Sequence, residues 1–437
     1  MALFKTPEWG VKPVQEKYKM LGGLDYFILW SSLGVGLLVF SAGSFLSDAS
    51  FFDATLAIIV GSIAGSILLA LAGKIGSDHG IPSIISMRPS FGITGSYLPA
   101  ILNVMQLIGW TTFEIMIMAK AAERLAGGVM PYYLWVVIFG ALVTLLGIAG
   151  PLNVARQWLG KFAVWIAFGT SAIIIINLIM SANVEALIVS PGKGMSFFSA
   201  LDLVIAMPVS WMPLVADYNR FAKRSKGALW GTFVGFAITN ILFYFGGTLI
   251  GTSDVIEIVV AIQAMFFGFL MLLLIVDEAD NAFADVYSAA VSTQDISSKI
   301  NQKFLIIGFT AISAILAMVL SIQDYEGFLL LIGAIFVPLF GVVLTDYYII
   351  RKQKYTEQML YVRHNVLGIG TPAIIAWGFG ILVNFMLSPL SPIYLTQLPA
   401  VGATIPSLAA ASLIYLAITR MWPKKDQMVA QKSDKGD

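Results

Sequence analysis

Cysteine is missing from this chain and charge is scarce in it. No cysteine occurs in 437 residues, which excludes a disulfide framework and any thiolate metal site. Only 12% of the residues are Asp, Glu, Lys or Arg, about half the roughly 25% of soluble domains. A chain that is 58% hydrophobic cannot clothe a water-facing surface with so few charges, so it reads as an integral membrane protein. Histidine is rarer still. His79 and His364 are the only two, and both fall in predicted inner loops, poor places for a coupling group. The net charge of +1 says nothing about partners, and no basic tract suited to nucleic acid is present, so a nucleic-acid partner is not expected. The segment 1–23 carries Lys5, Glu8, Lys12, Glu16, Lys17 and Lys19 with no apolar core, so it is not expected to be a cleavable signal peptide. It is assigned as a cytoplasmic segment. Nothing in the composition points to an obligate protein partner.

Apolar sequence is abundant. A membrane-spanning helix needs about 20 mostly apolar residues. Twelve such runs occur, near 24–46, 54–74, 96–126, 131–150, 157–180, 199–219, 228–251, 257–290, 304–322, 327–350, 367–388 and 399–421. No soluble domain is inserted between them. With both termini inside, all of the 26 Lys and Arg except Lys120, Arg124 and Lys193 fall in inner segments. That asymmetry supports an even span count, cytoplasmic termini including a tail at 422–437, and residence in the cell membrane.

Polar residues inside these spans are the candidates for function. In the first, Gly34 and Gly36 permit close approach or unwinding; packing through small residues explains them equally well. The sixth contains AMPVSWMPLVADYNRF at 206–221. Pro208 and Pro213 each remove a backbone donor, so the span is expected to break near its middle. Ser210 and Trp211 add a polar group and a stacking face there. Broken helices of this kind form binding sites in secondary transporters, above all in matching positions of two repeats. Spans 1 and 6 would match if 24–180 and 199–350 are inverted repeats, with 367–421 as a peripheral pair. The stretch 79–97, with Pro82, Pro89, Gly92 and Gly95, reads as a connecting loop.

The third span carries Asn103, Gln106, Trp110, Phe113 and Glu114 at spacings of three and four, one helical stripe. An indole there can stack on a flat ring, and Glu114 one turn on can accept hydrogen bonds from it. The eighth span reads DEADNAFAD at 277–285. Carboxylates facing lipid cost roughly 2.5–3.5 kcal/mol each on insertion scales, so Asp277, Asp280, Asn281 and Asp285 should face the bundle interior, with Glu278 at the edge of that arc. Crowded carboxyls repel, and at least one should keep its proton near neutral pH. Such a group could carry a coupling proton, and the ionised oxygens could ligate Na+. A structural polar network is the competing reading.

DYNRF at 217–221, DYYIIRK at 346–352 and RPSFG at 88–92, followed by Gly95 and Ser96, resemble landmarks of the nucleobase–cation symporter-1 family, in the same order along the chain. The resemblance implies an all-α membrane fold of twelve helices: a leucine-transporter-type five-plus-five inverted repeat and two peripheral helices. It implies uptake of a planar nitrogen heterocycle coupled to Na+ or H+, with no other cofactor. Trp110 matches the stacking tryptophan of helix 3, with Gln106 or Glu114 as its polar companion, and Met207–Trp211 matches the break in helix 6. Two features depart from the family pattern: the acidic helix 8, and Pro208 where an aromatic is common. PVSWMPLVADY with DEADNAFADVYSAAVS resembles the branch proposed to import hydroxymethylpyrimidine, the thiamine precursor.

The resulting expectation is a transporter and not an enzyme. Substrate contacts fall to Trp110, Glu114, Gln106, Ser210, Trp211, Asn281 and Asp280. A coupling cation lies between Leu33–Gly36 and Asp277–Asp280. The alternatives are a cytosine- or purine-type permease with the same site, and a membrane-embedded hydrolase using the helix 8 carboxylates. The hydrolase reading lacks a nucleophile–base–histidine set and an HExxH pattern.

Overall fold

The computed structural model describes residues 10–149, 164–181, 184–252, 254–362, 368–389, 391–395 and 401–421. Within them regular structure is helical, apart from two single-residue bridges. The helices run α1 (Gly23–Ser32), α2 (Leu37–Phe45), α3 (Phe51–His79), α4 (Ser83–Phe91), α5 (Tyr97–Leu125) and α6 (Tyr132–Ala149). They continue with α7 (Val164–Ser181), α8 (Val184–Val189), α9 (Phe197–Ser210), α10 (Met212–Asn219), α11 (Ser225–Ile250) and α12 (Val255–Gln263). The last are α13 (Phe269–Ile296), α14 (Gln302–Ala317), α15 (Tyr325–Leu344), α16 (Glu357–Tyr361), α17 (Thr371–Leu387) and α18 (Thr404–Met421). Among the described residues, seven helical segments are long and apolar enough to cross a membrane, or eight with the bent pair α1–α2. His364 lies outside the described residues.

The first span is broken as the glycines suggest. α1 and α2 meet at 65°, with Leu33–Gly36 between them. The sixth span departs from expectation: its prolines do not unwind it. Pro213 stands in the first turn of α10, where an N–H would have no partner in any case. Trp211, the single residue between α9 and α10, keeps helical dihedrals (φ −83, ψ −14). Phe197–Asn219 still reads as one span. The eighth span starts later than the apolar run suggested. α12 ends at Gln263, and Gly268 in the left-handed region (φ 80) begins α13, because only glycine takes that turn without strain. The stretch 79–97 is not a plain loop. It contains α4, a buried helix with Pro89 in its second half.

Two sets of helix contacts position the interior. α13 lies along α5, and α3 lies along α9, α10 and α11. Small residues permit the second approach. A methyl added at Gly61 would meet Val204 Cβ at 2.8 Å, and one at Gly76 would meet the Ala216 Cα at 2.8 Å. Dispersion through such close backbones substitutes for the hydrophobic effect that lipid does not provide. α17 and α18 pack on each other and on α15, outside this core.

One end of the bundle is strapped by the segment before α1. Val14 N donates to Gly80 O (2.8 Å), Leu21 N to Phe221 O (3.1 Å) and Lys223 N to Leu21 O (2.9 Å). The fully buried Arg220 donates to Gly10 O (2.8 Å) and to the Tyr287 hydroxyl (3.0 Å). Tyr361 OH donates to Val11 O (2.9 Å). Beside the strap, Arg88 of α4 pairs with Asp295 of α13 at 2.7 Å, both buried.

Candidate functional site: buried polar residues at the helix break

The stripe on α5 faces inward as its spacing requires. Asn103, Gln106, Trp110, Phe113 and Glu114 are all buried. It is bonded to the backbone around Trp211. Leu214 N bonds Trp211 O (3.2 Å) instead of Ser210 O, the partner a regular helix would give it. The freed Ser210 carbonyl accepts from Gln106 Nε2 at 3.1 Å. Asn103 Nδ2 donates to Ser292 Oγ (2.8 Å) and reaches Pro213 O (3.4 Å). The mild irregularity left by the prolines is thus what α5 recognises. Ser210 itself enters through its carbonyl, since its hydroxyl donates to Met207 O at 2.7 Å.

The aromatic residues form two groups. Trp110 meets Tyr325 and Phe328 edge-on, with centroids at 5.8 and 5.4 Å. Trp211 meets Trp30 edge-on at 6.0 Å and Phe236 at 6.4 Å. Trp30 is held in turn by its Nε1–H bond to Asn219 Oδ1 (2.9 Å).

Across from them, α13 meets the break in the first span. Glu278 Oε2 accepts from Leu37 N at 2.6 Å, and the same carboxylate accepts from Leu38 N. The first N–H groups of a helix have no partner within it, and a carboxylate there also faces the positive end of the helix dipole. Asn281 Nδ2 donates to Val35 O at 2.9 Å. Tyr325 OH donates to Leu38 O (3.1 Å). Gly36 makes this approach possible, since a methyl there would lie 2.5 Å from Glu278 Oε2 and 3.1 Å from Asn281 Nδ2. Asp277, the residue before Glu278, lies 3.4 Å from Ser32 Oγ. Leu33 is buried and continues α1 by its bond to Leu29 O. The carboxylate against Gly36 is therefore that of Glu278, which the helical-arc argument had put at the margin. Among the described residues no three acidic or histidine side chains are grouped to hold a metal ion. A cation at Leu33–Gly36 would have to combine Asp277 or Asp280 with backbone carbonyls.

Asp285 is the other residue that the sequence argument left outside the site. Its carboxyl is in hydrogen-bonding contact with that of Glu114 across α5 and α13. Nothing local in the sequence signals either contact; both depend on which helix faces α13.

Several buried polar atoms have no hydrogen-bond partner: Trp110 Nε1, Gln106 Oε1, Glu114 Oε2, Asn281 Oδ1, Asp277 Oδ2 and Asp280 Oδ2. Buried polar groups are normally paired, and leaving one unpaired costs about 1–3 kcal/mol. These atoms lie on the facing helices α5 and α13 and mix donors, acceptors and an indole, the equipment for holding a flat polar ring.

The likeness to known proteins is extensive. Residues 13–405 match the family described as permease for cytosine/purines, uracil, thiamine, allantoin. The cytosine permease of Escherichia coli (strain K12) is 26% identical, over 82% of this chain and 85% of its own. The hydantoin permease of Microbacterium maritypicum is 22% identical, over 86% and 84%. In fold, the chain resembles a nucleobase-cation-symport-1 family transporter in a closed conformation with bromovinylhydantoin bound. The TM-score is 0.79 at 18% identity, with 95% of each chain covered. A Na+-coupled sialic acid symporter shares the architecture, with a TM-score of 0.63 at 12% identity over 95% of this chain and 93% of that one. A helical bundle with a broken first span, unpartnered buried polar atoms on the helices beside the break and a family match across nearly its whole length make this chain a multi-pass membrane permease of the nucleobase–cation symporter-1 family.

Proposed function

We propose that the protein imports a planar nitrogen heterocycle, hydroxymethylpyrimidine or a related aminopyrimidine, by cation-coupled alternating access. The observation that carries this is the set of unpartnered buried atoms on α5 and α13 beside Trp110. The ring stacks on Trp110, with Trp211 toward its other face. Gln106, Glu114, Asn281 and Asp280 bond its polar edge. A coupling Na+ or H+ acts between Leu33–Gly36 and Asp277–Asp280. Twelve spans cross the membrane, 24–180 and 199–350 forming inverted repeats and 367–421 a peripheral pair, with segments 1–23 and 422–437 in the cytoplasm. The relatives are named permeases, which removes the grounds for the hydrolase reading.

Stacking of a base on an aromatic side chain is worth roughly 1–3 kcal/mol, about one to two decades of affinity. Trp110→Ala should therefore bind the heterocycle about 10- to 100-fold more weakly while still inserting into the membrane. Unchanged binding refutes the stacking role. The similarity to cytosine permease favours a second reading, cytosine or purine uptake through the same site. Competition of unlabelled cytosine, adenine and hydroxymethylpyrimidine for one binding site separates the two.

A further inference from the structure

A helix that begins inside a membrane presents N–H groups with no partner of their own and the positive end of its dipole. In transporters with broken spans, such a start points at an anionic group of the substrate. Here α2 begins at Leu37, behind Gly36, which has no side chain to cap it. The cap comes from α13, where Glu278 Oε2 accepts from Leu37 N at 2.6 Å. The fit is close: a methyl on Gly36 would lie 2.5 Å from Oε2 and 3.3 Å from the carboxyl carbon. Three residues on, Asn281 Nδ2 donates to Val35 O at 2.9 Å. One side of α13 thus answers both a donor and an acceptor of the break.

The place an anion would take is therefore filled by the protein itself. An oxygen seated on Leu37 N blocks that place whether or not the carboxyl is ionised. The neighbouring amides offer an anion nothing else. Asn281 Nδ2 is committed to Val35 O, so its buried, unpartnered Oδ1 can only accept. Gln106 Nε2 is committed to Ser210 O and Asn103 Oδ1, and its buried Oε1 is likewise an acceptor without a partner. Among the described residues, no Lys, Arg or His forms an ion pair with Asp277, Glu278 or Asp280. We propose that Glu278 is a tethered stand-in for a guest's carboxylate and a specificity-determining residue. Heterocycles bearing a negative charge are refused, and neutral ones that bring N–H groups to the two amide oxygens are taken. The selectivity rests on the proposed uptake of planar heterocycles; the stand-in role of Glu278 does not.

Glu278→Ala removes the stand-in and leaves the first N–H groups of α2 open. Sodium acetate should then raise the melting temperature of the full-length variant in detergent, saturably. The unaltered protein should respond to it no more than to sodium chloride of equal ionic strength. Binding gives the second readout. The probes are the aminopyrimidine with a carboxylate in place of its hydroxymethyl group, and the carboxamide of the same shape. The unaltered protein should bind the carboxamide about 10- to 100-fold more tightly, the worth of the charge-assisted bonds denied to the anion. In Glu278→Ala that ratio should close or invert. Equal binding of the two probes by the unaltered protein overturns the selectivity, and a variant indifferent to acetate overturns the stand-in. Should Glu278→Ala be lost on extraction, its recovery by acetate and not by chloride carries the same support; failure to recover in acetate overturns the inference. If the unaltered protein binds neither probe, nor hydroxymethylpyrimidine, nor cytosine, the proposed substrate class fails. The acetate response of Glu278→Ala still decides the role of Glu278 in that case.

Discussion

Gly36→Ala tests whether Glu278 truly clasps the broken first span. The added methyl would lie 2.5 Å from Glu278 Oε2, where ordinary contact begins at 3.4 Å. The carboxylate must retreat by about 0.9 Å, which stretches its 2.6 Å bond to Leu37 N to about 3.5 Å, beyond useful hydrogen-bond range. A hydrogen bond contributes about 0.5–1.5 kcal/mol net, and leaving the buried N–H unpaired costs about 1–3 kcal/mol. Replacing glycine with alanine returns about 0.4–1 kcal/mol by restricting the unfolded chain. The net expectation is a loss of about 1–2 kcal/mol. Unfolding in detergent measures it, with Gly308→Ala as control, since a methyl at Gly308 meets nothing within 4 Å. If Gly36→Ala unfolds together with the control, Glu278 does not hold the break, and the account of this junction is wrong.

Other consequences can be checked alongside. Arg88→Met leaves Asp295 buried without its 2.7 Å partner; unpairing a buried charge costs about 3–5 kcal/mol, and the melting temperature should fall well below that of the unaltered protein. Arg220→Lys cannot reproduce the bonds to Gly10 O and Tyr287 OH together. The segment before α1 should then be cleaved faster by protease, while unfolding of the bundle changes little.

How far the sequence foretold this structure depended on the range of the interaction. The apolar runs set the membrane class, because twenty apolar residues in a row have no other use. The break at Gly34–Gly36 was visible for a local reason, the absence of side chains. The sixth span is less broken than its two prolines imply. Two prolines suggest disruption, yet Pro213 falls in a helix's first turn and its missing N–H is not needed. The inward stripe from Asn103 to Glu114 followed from helical spacing alone. The partners of Glu278 and Asp285 do not follow from it. An angular argument about one helix cannot know that a second helix breaks beside it, and both side chains acquire their partners, Leu37 N and Glu114, from elsewhere in the chain. The stretch 79–97 misled for a related reason: its prolines permit the short helix α4, and Arg88 anchors it to α13.

The segment preceding α1 links the ends of α3, α10 and α16 through Gly80, Arg220 and Phe221, and Tyr361, and Arg220 extends the tie to Tyr287 of α13. These ties share one short peptide, so they cannot be undone one at a time without dragging on the others. Parting the helices at this mouth therefore calls for a concerted release, a step with a threshold and no gradual course.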